Sequence, residues 1–319
     1  MSIGAPIRGG VAAGLTLVVL MATLAARQPS SKVPVRPAPR GYSAGPVALS
    51  LRQPSEAMVL QADGRVFTLN TARGAIGSQF YRIPAGYQAV DMSAGTGSAG
   101  PIVCFTLNKS SSKDYGSFVL QILPDRREIW NWLSTGGVYV GLALDAAAGQ
   151  AYVGNSTTNA IYRVPIGSKD VRAQQIAIVG DAERIGAMAI DPAGGRLFVA
   201  DMGADRVYVV SLAGQRKPRA IALYGIEEVR AITWDARTRR IYAADSAEET
   251  IWAIDPELSS SKPQRILTDR RVKDPSGLAL ADDGTLWVAD EVARMLFQVS
   301  VGTRAILRTV AWDPPSARQ

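Results

Sequence analysis

Four stretches of this chain repeat one another at a spacing of about 45 residues, and that period decides the fold class. They are "GLALDAAAGQAYVGNSTTNAIYRVPI" from Gly141, "AMAIDPAGGRLFVADMGADRVYVVSL" from Ala187, "AITWDARTRRIYAADSAEETIWAIDP" from Ala231 and "GLALADDGTLWVADEVARMLFQVSV" from Gly277. In each, a short apolar strand, a polar turn, a second strand ending in Asp or Asn, a polar loop and a third strand follow in order. A fourth, more alternating segment closes the copy, as in "RAIALY" from Arg219 and "QRILT" from Gln264. Two degenerate copies precede these: "EAMVLQADGRVFTLN" from Glu56, and "QAVDMS" from Gln88 with "PIVCFTLN" from Pro101. A four-stranded unit of this length cannot bury both faces alone, and stacking such units around an axis solves the problem. Helical repeats are disfavoured by the density of Val, Ile, Tyr and Gly and the lack of a 3.6-residue apolar stripe. The sequence therefore predicts an all-β chain, a six-bladed β-propeller of four-stranded antiparallel blades over residues 47–311, with a short tail at 312–319. The first copy has only three recognisable strands. "VALSL" at Val47–Leu51 is expected to pair with an outer strand near the C-terminal blade and close the ring, which removes exposed sheet edges.

The segments "PSGLALADDGTLWVAD" (Pro275–Asp290) and "GAMAIDPAGGRLFVAD" (Gly186–Asp201) resemble the NHL-type propeller repeat, and more loosely the YWTD and SMP-30/gluconolactonase propellers. The resemblance covers most of the chain and is informative for fold rather than function, because such propellers include hydrolases, lyases and binding platforms. SMP-30-like hydrolases hold a divalent cation at the channel mouth with a Glu before the first strand, two Asn and a strand-ending Asp. The resemblance would put Glu56 in the place of the Glu and Asp201, Asp245 or Asp290 in that of the Asp. The turn Asn is missing: its matching positions are Ser276, Arg230 and Ile185. An arginine among the ligands disfavours an oxygen-coordinated cation. No metal and no cofactor are expected.

Composition narrows the chemistry further. The chain has no histidine, which removes Ser-His, Cys-His and His-metal arrangements together. Its formal charge of +7 is concentrated at one end, since residues 1–52 hold Arg8, Arg27, Lys32, Arg36, Arg40 and Arg52 and no acid. The remaining body is nearly neutral, so a nucleic-acid partner is not expected. Cys104, the single cysteine, cannot form an internal disulfide and reads as a small buried hydrophobe within "PIVCFTL". "AGTGSAG" (Ala94–Gly100) lacks the lysine and helix of a phosphate loop and reads as a turn insertion.

Ahead of the repeats, residues 1–8 form a short flank, and eighteen uncharged residues, Gly9–Ala26, are long enough for a membrane-crossing helix. A cleaved signal peptide is the alternative, but Arg27 follows the candidate cleavage site and favours a retained N-terminal hydrophobic helix. Residues 27–46, rich in Pro and Ser, read as a semi-extended tether. Charge bias alone would hold the body in the cytoplasm. Analogy with anchored bacterial propellers places it on the periplasmic or extracytoplasmic side, or makes it secreted if the segment is cleaved.

Alignment on the second strand puts Asp201 in register with Asn70, Asn108, Asn155, Asp245 and Asp290. A residue type present in all six copies answers a local need of the repeat, and Asn and Asp share the ability to accept hydrogen bonds at a turn. On that basis Asp201→Asn is expected to leave fold and function almost unchanged, and no catalytic residue is assigned. Trp130 and Trp132 in "EIWNWL" lie on one face of an outer strand as a candidate partner-binding pair. The expectation is a non-catalytic, membrane-tethered propeller acting as a protein-binding or scaffold subunit with membrane-associated protein partners. The alternative is a metal-dependent esterase or lactonase.

Overall fold

A computed structural model describes residues 45–315 apart from 112, 113, 135, 136, 170 and 215. The expected helix and anchor at Gly9–Ala26, and the linker up to residue 44, lie outside the described residues. The chain forms six blades of four antiparallel strands arranged as a propeller, and the two-residue strand Ser260–Ser261 adds in parallel to the outer strand of the fourth blade. Blade 1 is Pro46–Gln53, Glu56–Gln61, Arg65–Asn70 and Ala75–Arg82; blade 2 is Tyr87–Gly97, Gly100–Ser111, Asp114–Ile122 and Glu128–Ser134. Blade 3 is Tyr139–Asp145, Gln150–Asn155, Ala160–Pro165 and Gln174–Ile178; blade 4 is Ile185–Asp191, Arg196–Asp201, Arg206–Ser211 and Arg219–Leu223. Blade 5 is Val229–Asp235, Arg240–Asp245, Thr250–Ile254 and Gln264–Thr268; blade 6 is Pro275–Leu280, Thr285–Asp290, Met295–Ser300 and Ala305–Ala311. The first strand of every blade lines the central channel. Among the described residues no helix is long and apolar enough to cross a membrane.

Closure differs from the sequence expectation. The strand containing Val47–Leu51 pairs not with an outer strand of the last blade but with Glu56–Gln61, through the register Leu49↔Val59 and Gln53↔Glu56. It is the inner strand of blade 1, so "EAMVLQ" is that blade's second strand and "RVFTLN" its third. Pro54 and Ser55, the latter at φ 59°, make the tight turn that permits this hairpin. The ring then closes without a strand shared between the first and last blades. The Ser276 hydroxyl donates to the Pro46 carbonyl at 2.9 Å, and Gly277 passes so close that an added Cβ would stand 2.8 Å from the Leu49 nitrogen. Trp312, at the start of the expected tail, is 2% exposed and meets Phe67 of blade 1 edge-to-face at 5.6 Å.

Every first strand also carries one extra residue near the same end, a β-bulge against its partner: Val47, Val90, Val140, the Gly186–Ala187 pair, Arg230 and Ser276. That end of the propeller, called the upper face, carries the blade-to-blade connections and the turns between second and third strands. The lower face carries the turns after first and third strands. Alternate residues of each second strand face the preceding and following blades, so apolar interfaces such as Val199 with Tyr152 and Phe198 with Trp252 fill each gap. Cys104 is buried in the interface of blades 2 and 3, and desolvation pushes its thiol up to about 12.

Because closure rests on side-chain packing, Trp312→Ala is expected to cost about 3–5 kcal/mol through the cavity it leaves. Gly277→Val should cost about 1–3 kcal/mol by overpacking, whereas the same change at Gly302, which has open space around it, should stay within about 0.5 kcal/mol. Equilibrium urea unfolding of the three variants measures these differences.

Candidate functional site in the central channel

The upper ends of the second strands show how the repeated acids are used. Asp201 accepts hydrogen bonds from the backbone N–H groups of Glu183 (3.0 Å) and Arg184 (2.9 Å) in the connection entering its own blade, and of Gly203 (3.1 Å) in the following turn. Asp245 repeats this with Glu227, Glu228 and Ala247, and adds the Trp252 indole N–H at 3.3 Å. Asp290 takes Lys273, Asp274 and Ala293. In blade 3, Asn155 accepts from Thr157 and Thr158. Each buried carboxylate thus satisfies N–H groups that the turning backbone would otherwise leave without partners.

Two members of the sequence-aligned set fall elsewhere. Asn70 ends a third strand, opposite Glu56 on the lower face, where it accepts from the Arg73 N–H at 2.8 Å. The hairpin register gives Gln61, paired with Pro46, as the blade 1 counterpart of Asp201. In blade 2 the counterpart is Leu107, paired with Ala89. Asn108 lies one residue beyond and so points toward the next blade, donating to the Tyr139 carbonyl at 3.2 Å and accepting from the Ser117 hydroxyl at 2.6 Å.

The metal candidates are not brought together. Glu56 opens the second strand of blade 1 at the lower face, held by Arg52 and by the Gln53 amide at 2.7 Å, while Asp201, Asp245 and Asp290 lie at the upper face. Among the described residues no three His, Cys, Asp or Glu side chains gather as metal ligands. Of the matching positions for the missing Asn, Ser276 and Arg230 share the bulge rank, and the third is Gly186 rather than Ile185. Trp132 is 55% exposed, while Trp130 is half-buried against Tyr87 at 5.1 Å and Phe118 at 6.0 Å.

The inner strands enclose a channel cavity of 280 Å³. The side chains of Leu49, Leu142, Met188, Ile232, Trp234 and Leu278 share its wall with polar groups, and two residues break the repeat. Arg230 occupies the rank held by Val47, Val90, Val140, Gly186 and Ser276, and its guanidinium lies 3.6 Å from both Glu228 and Glu291. Asp91 occupies the rank of Ala48, Gly141, Ala187, Ala231 and Gly277, where small residues let neighbouring inner strands approach. Its carboxylate instead bridges the gap between blades 2 and 3, accepting from Met92 (2.7 Å) and Leu142 (2.9 Å). Desolvation pushes it up to about 7, against the pull of those two N–H groups. Asp91 lies within "QAVDMS" and is not among the candidate residues of the sequence. The available signal was an acid at a rank where the other copies carry Ala or Gly.

No protein-family model matches the chain, and no curated protein matches it in sequence. Solved structures of low identity share its fold. A catalytically inactive virginiamycin B lyase from Staphylococcus aureus with quinupristin superposes with a TM-score of 0.61 at 12% identity, covering 86% of each chain. A chain of a nidogen/laminin complex gives 0.63 at 13% identity, over 78% of this chain and 91% of that one. An auxiliary nutrient binding protein from Bacteroides thetaiotaomicron gives 0.60 at 9% identity, over 80% and 68%. These likenesses establish the propeller and nothing finer.

Two outcomes follow. The carboxylate of Asp201 receives N–H donors on both oxygens, so an amide would set its own NH₂ against one of them. Asp201→Asn is therefore expected to cost about 1–2 kcal/mol in urea unfolding, not the near-zero effect that the Asn/Asp alternation implies. For Asp91, the folded carboxyl keeps a proton that the unfolded one releases between pH 4 and 7. The stability it contributes is present below that window and is lost as pH rises through about 7. Asp91→Asn should remove this slope, read as melting temperature against pH.

Proposed function

We propose that the chain is a non-catalytic binding module, a propeller that serves as a protein-binding or scaffold subunit and is held at a membrane by Gly9–Ala26 on the extracytoplasmic side. The observation that carries the binding role is Trp132. It stands 55% exposed on the outermost strand of blade 2, in line with half-buried Trp130, where Tyr87, Phe118 and Trp130 pack ring against ring. A large aromatic left in solvent on a rigid, aromatic-backed support is the type of side chain that anchors protein interfaces.

Two further features agree with this reading. The repeated upper-face acids are occupied by backbone N–H groups, and Glu56 lies on the opposite face from Asp201, Asp245 and Asp290. Two of the structural neighbours are described as a protein complex and as a binding protein, which supports binding as a use of this architecture.

Mild-detergent extraction from the native membrane should recover the chain in a stable complex, and Trp132→Ala should release it from that complex. The same variant should unfold in urea within about 0.5 kcal/mol of the parent, because an exposed side chain leaves no cavity. Recovery of the parent chain as a lone, freely soluble protein would contradict the reading.

A further inference from the structure

The loops between third and fourth strands do the same job in blades 1, 2, 3 and 5, bonding across to the blade before them. Arg126 of blade 2 donates to the Phe80 carbonyl at 3.2 Å and sits 4.3 Å over the Phe80 ring. Gly167 of blade 3 donates to the Gln121 side chain at 2.8 Å, and Ser168 accepts from Asn131 at 3.0 Å. In blade 5, Ser259 accepts from the Ala222 N–H at 3.1 Å. Blade 1 completes the circle, with the Ala72 carbonyl accepting from Arg308 of blade 6 at 3.0 Å. Covering an outer strand in this way blunts a free sheet edge.

All six loops between third and fourth strands carry an exposed cation: Arg73, Arg126, Lys169, Lys217, Lys262 and Arg304. Among the described residues none of the six is in a salt bridge, although Arg and Lys of the upper connections are, as Arg271 with Asp269 and Lys273 with Glu249 illustrate. The acids that these loops show, Asp125, Asp255 and Glu257, are each paired with an arginine, whereas the upper connections and turns carry a larger set, including Glu183, Glu227, Glu228, Glu248 and Glu291. The nearly neutral body thus divides its charge between its faces. Loop position, not overall composition, produces the separation.

We propose that this belt of exposed cations, none of them held in a salt bridge, docks the propeller, lower rim first, on an anionic lipid surface. A belt spread around all six blades is complementary to a plane. A linear polymer or a compact acidic protein would engage only an arc of it. The loops contain no aromatic residue on which the bases of a single strand could stack, and their exposed cations sit on long flexible stems that need no stereochemical register. Basic residues near an anionic leaflet each add attraction that fades within a Debye length, so the contact is sensitive to lipid charge and salt. The inference is independent of the Trp132 interface and of how Gly9–Ala26 is disposed.

Amine acetylation read by mass spectrometry locates the contact, with Lys169, Lys217 and Lys262 as reporters and Lys273 of an upper connection as the internal control. The full chain is compared on phosphatidylcholine vesicles and on mixed phosphatidylcholine–phosphatidylserine vesicles, so attachment through the N-terminal apolar segment is common to both. The three reporters should react about threefold or more slowly on the anionic vesicles, recover at high salt, and leave Lys273 unchanged. Arg216→Glu combined with Lys217→Glu should reduce the protection of Lys169. Equal rates on the two vesicle types, or protection of Lys273 in place of the reporters, would overturn the proposal. So would protection by a polyglutamate peptide or an oligonucleotide where anionic vesicles give none.

Discussion

The contact between the inner strands of blades 1 and 6 is the constraint on which the rest of the molecule depends. No strand is exchanged between the first and last blades. The ring is held shut by the Ser276–Pro46 hydrogen bond, the close passage of Gly277 beside Ala48 and Leu49, and Trp312 against Phe67. Glycine is required at position 277 because any side chain there would meet backbone rather than a movable group. Outside this core the closure is repeated at the rim, where Arg308 of blade 6 reaches the loop between the third and fourth strands of blade 1. With the ring closed, all six bulges fall at one end, and the molecule acquires two chemically different faces.

Those faces explain why carboxylates that look like a candidate site in the sequence are spent on architecture. The connection between blades must turn sharply at the upper face, and its N–H groups point inward with no strand to receive them. A short acidic side chain at the end of the second strand reaches both that connection and the adjacent turn. Asp145, Asp191 and Asp235 do a related job at the lower ends of the inner strands, accepting from Ala148, Gly194 and Arg237. The residues that break the repeat, Asp91 and Arg230, are where local demand does not account for residue type.

Much of the fold was legible in the sequence because a six-fold period with alternating apolar strands leaves few alternatives. Blade number, strand content and the general role of turn acids followed from it. The N-terminal strand was misplaced because "VALSL" was read against the end of the chain, when its hairpin partner "EAMVLQ" was adjacent. That error displaced the whole first blade by one strand and carried Asn70 to the wrong face. Asn108 was misread for a subtler reason: the second strand of blade 2 runs several residues past its neighbours, and a one-residue offset reverses the direction of a side chain. Asp91 stands out only when the copies are aligned on the first strand, where an acid is an exception, and is hidden by alignment on the second, where acids are expected.

The repeated acids Asp201, Asp245 and Asp290 serve the backbone, and the proposed surface-binding role rests on that use rather than on a metal ion. The most direct measurement is thermal unfolding of the purified chain with and without Ca²⁺, alongside elemental analysis for bound metal. The account predicts no stoichiometric ion and no midpoint shift beyond that produced by an inert salt of equal ionic strength. A stoichiometric ion with a saturable rise in midpoint, abolished by Asp201→Asn or Glu56→Gln, would contradict it.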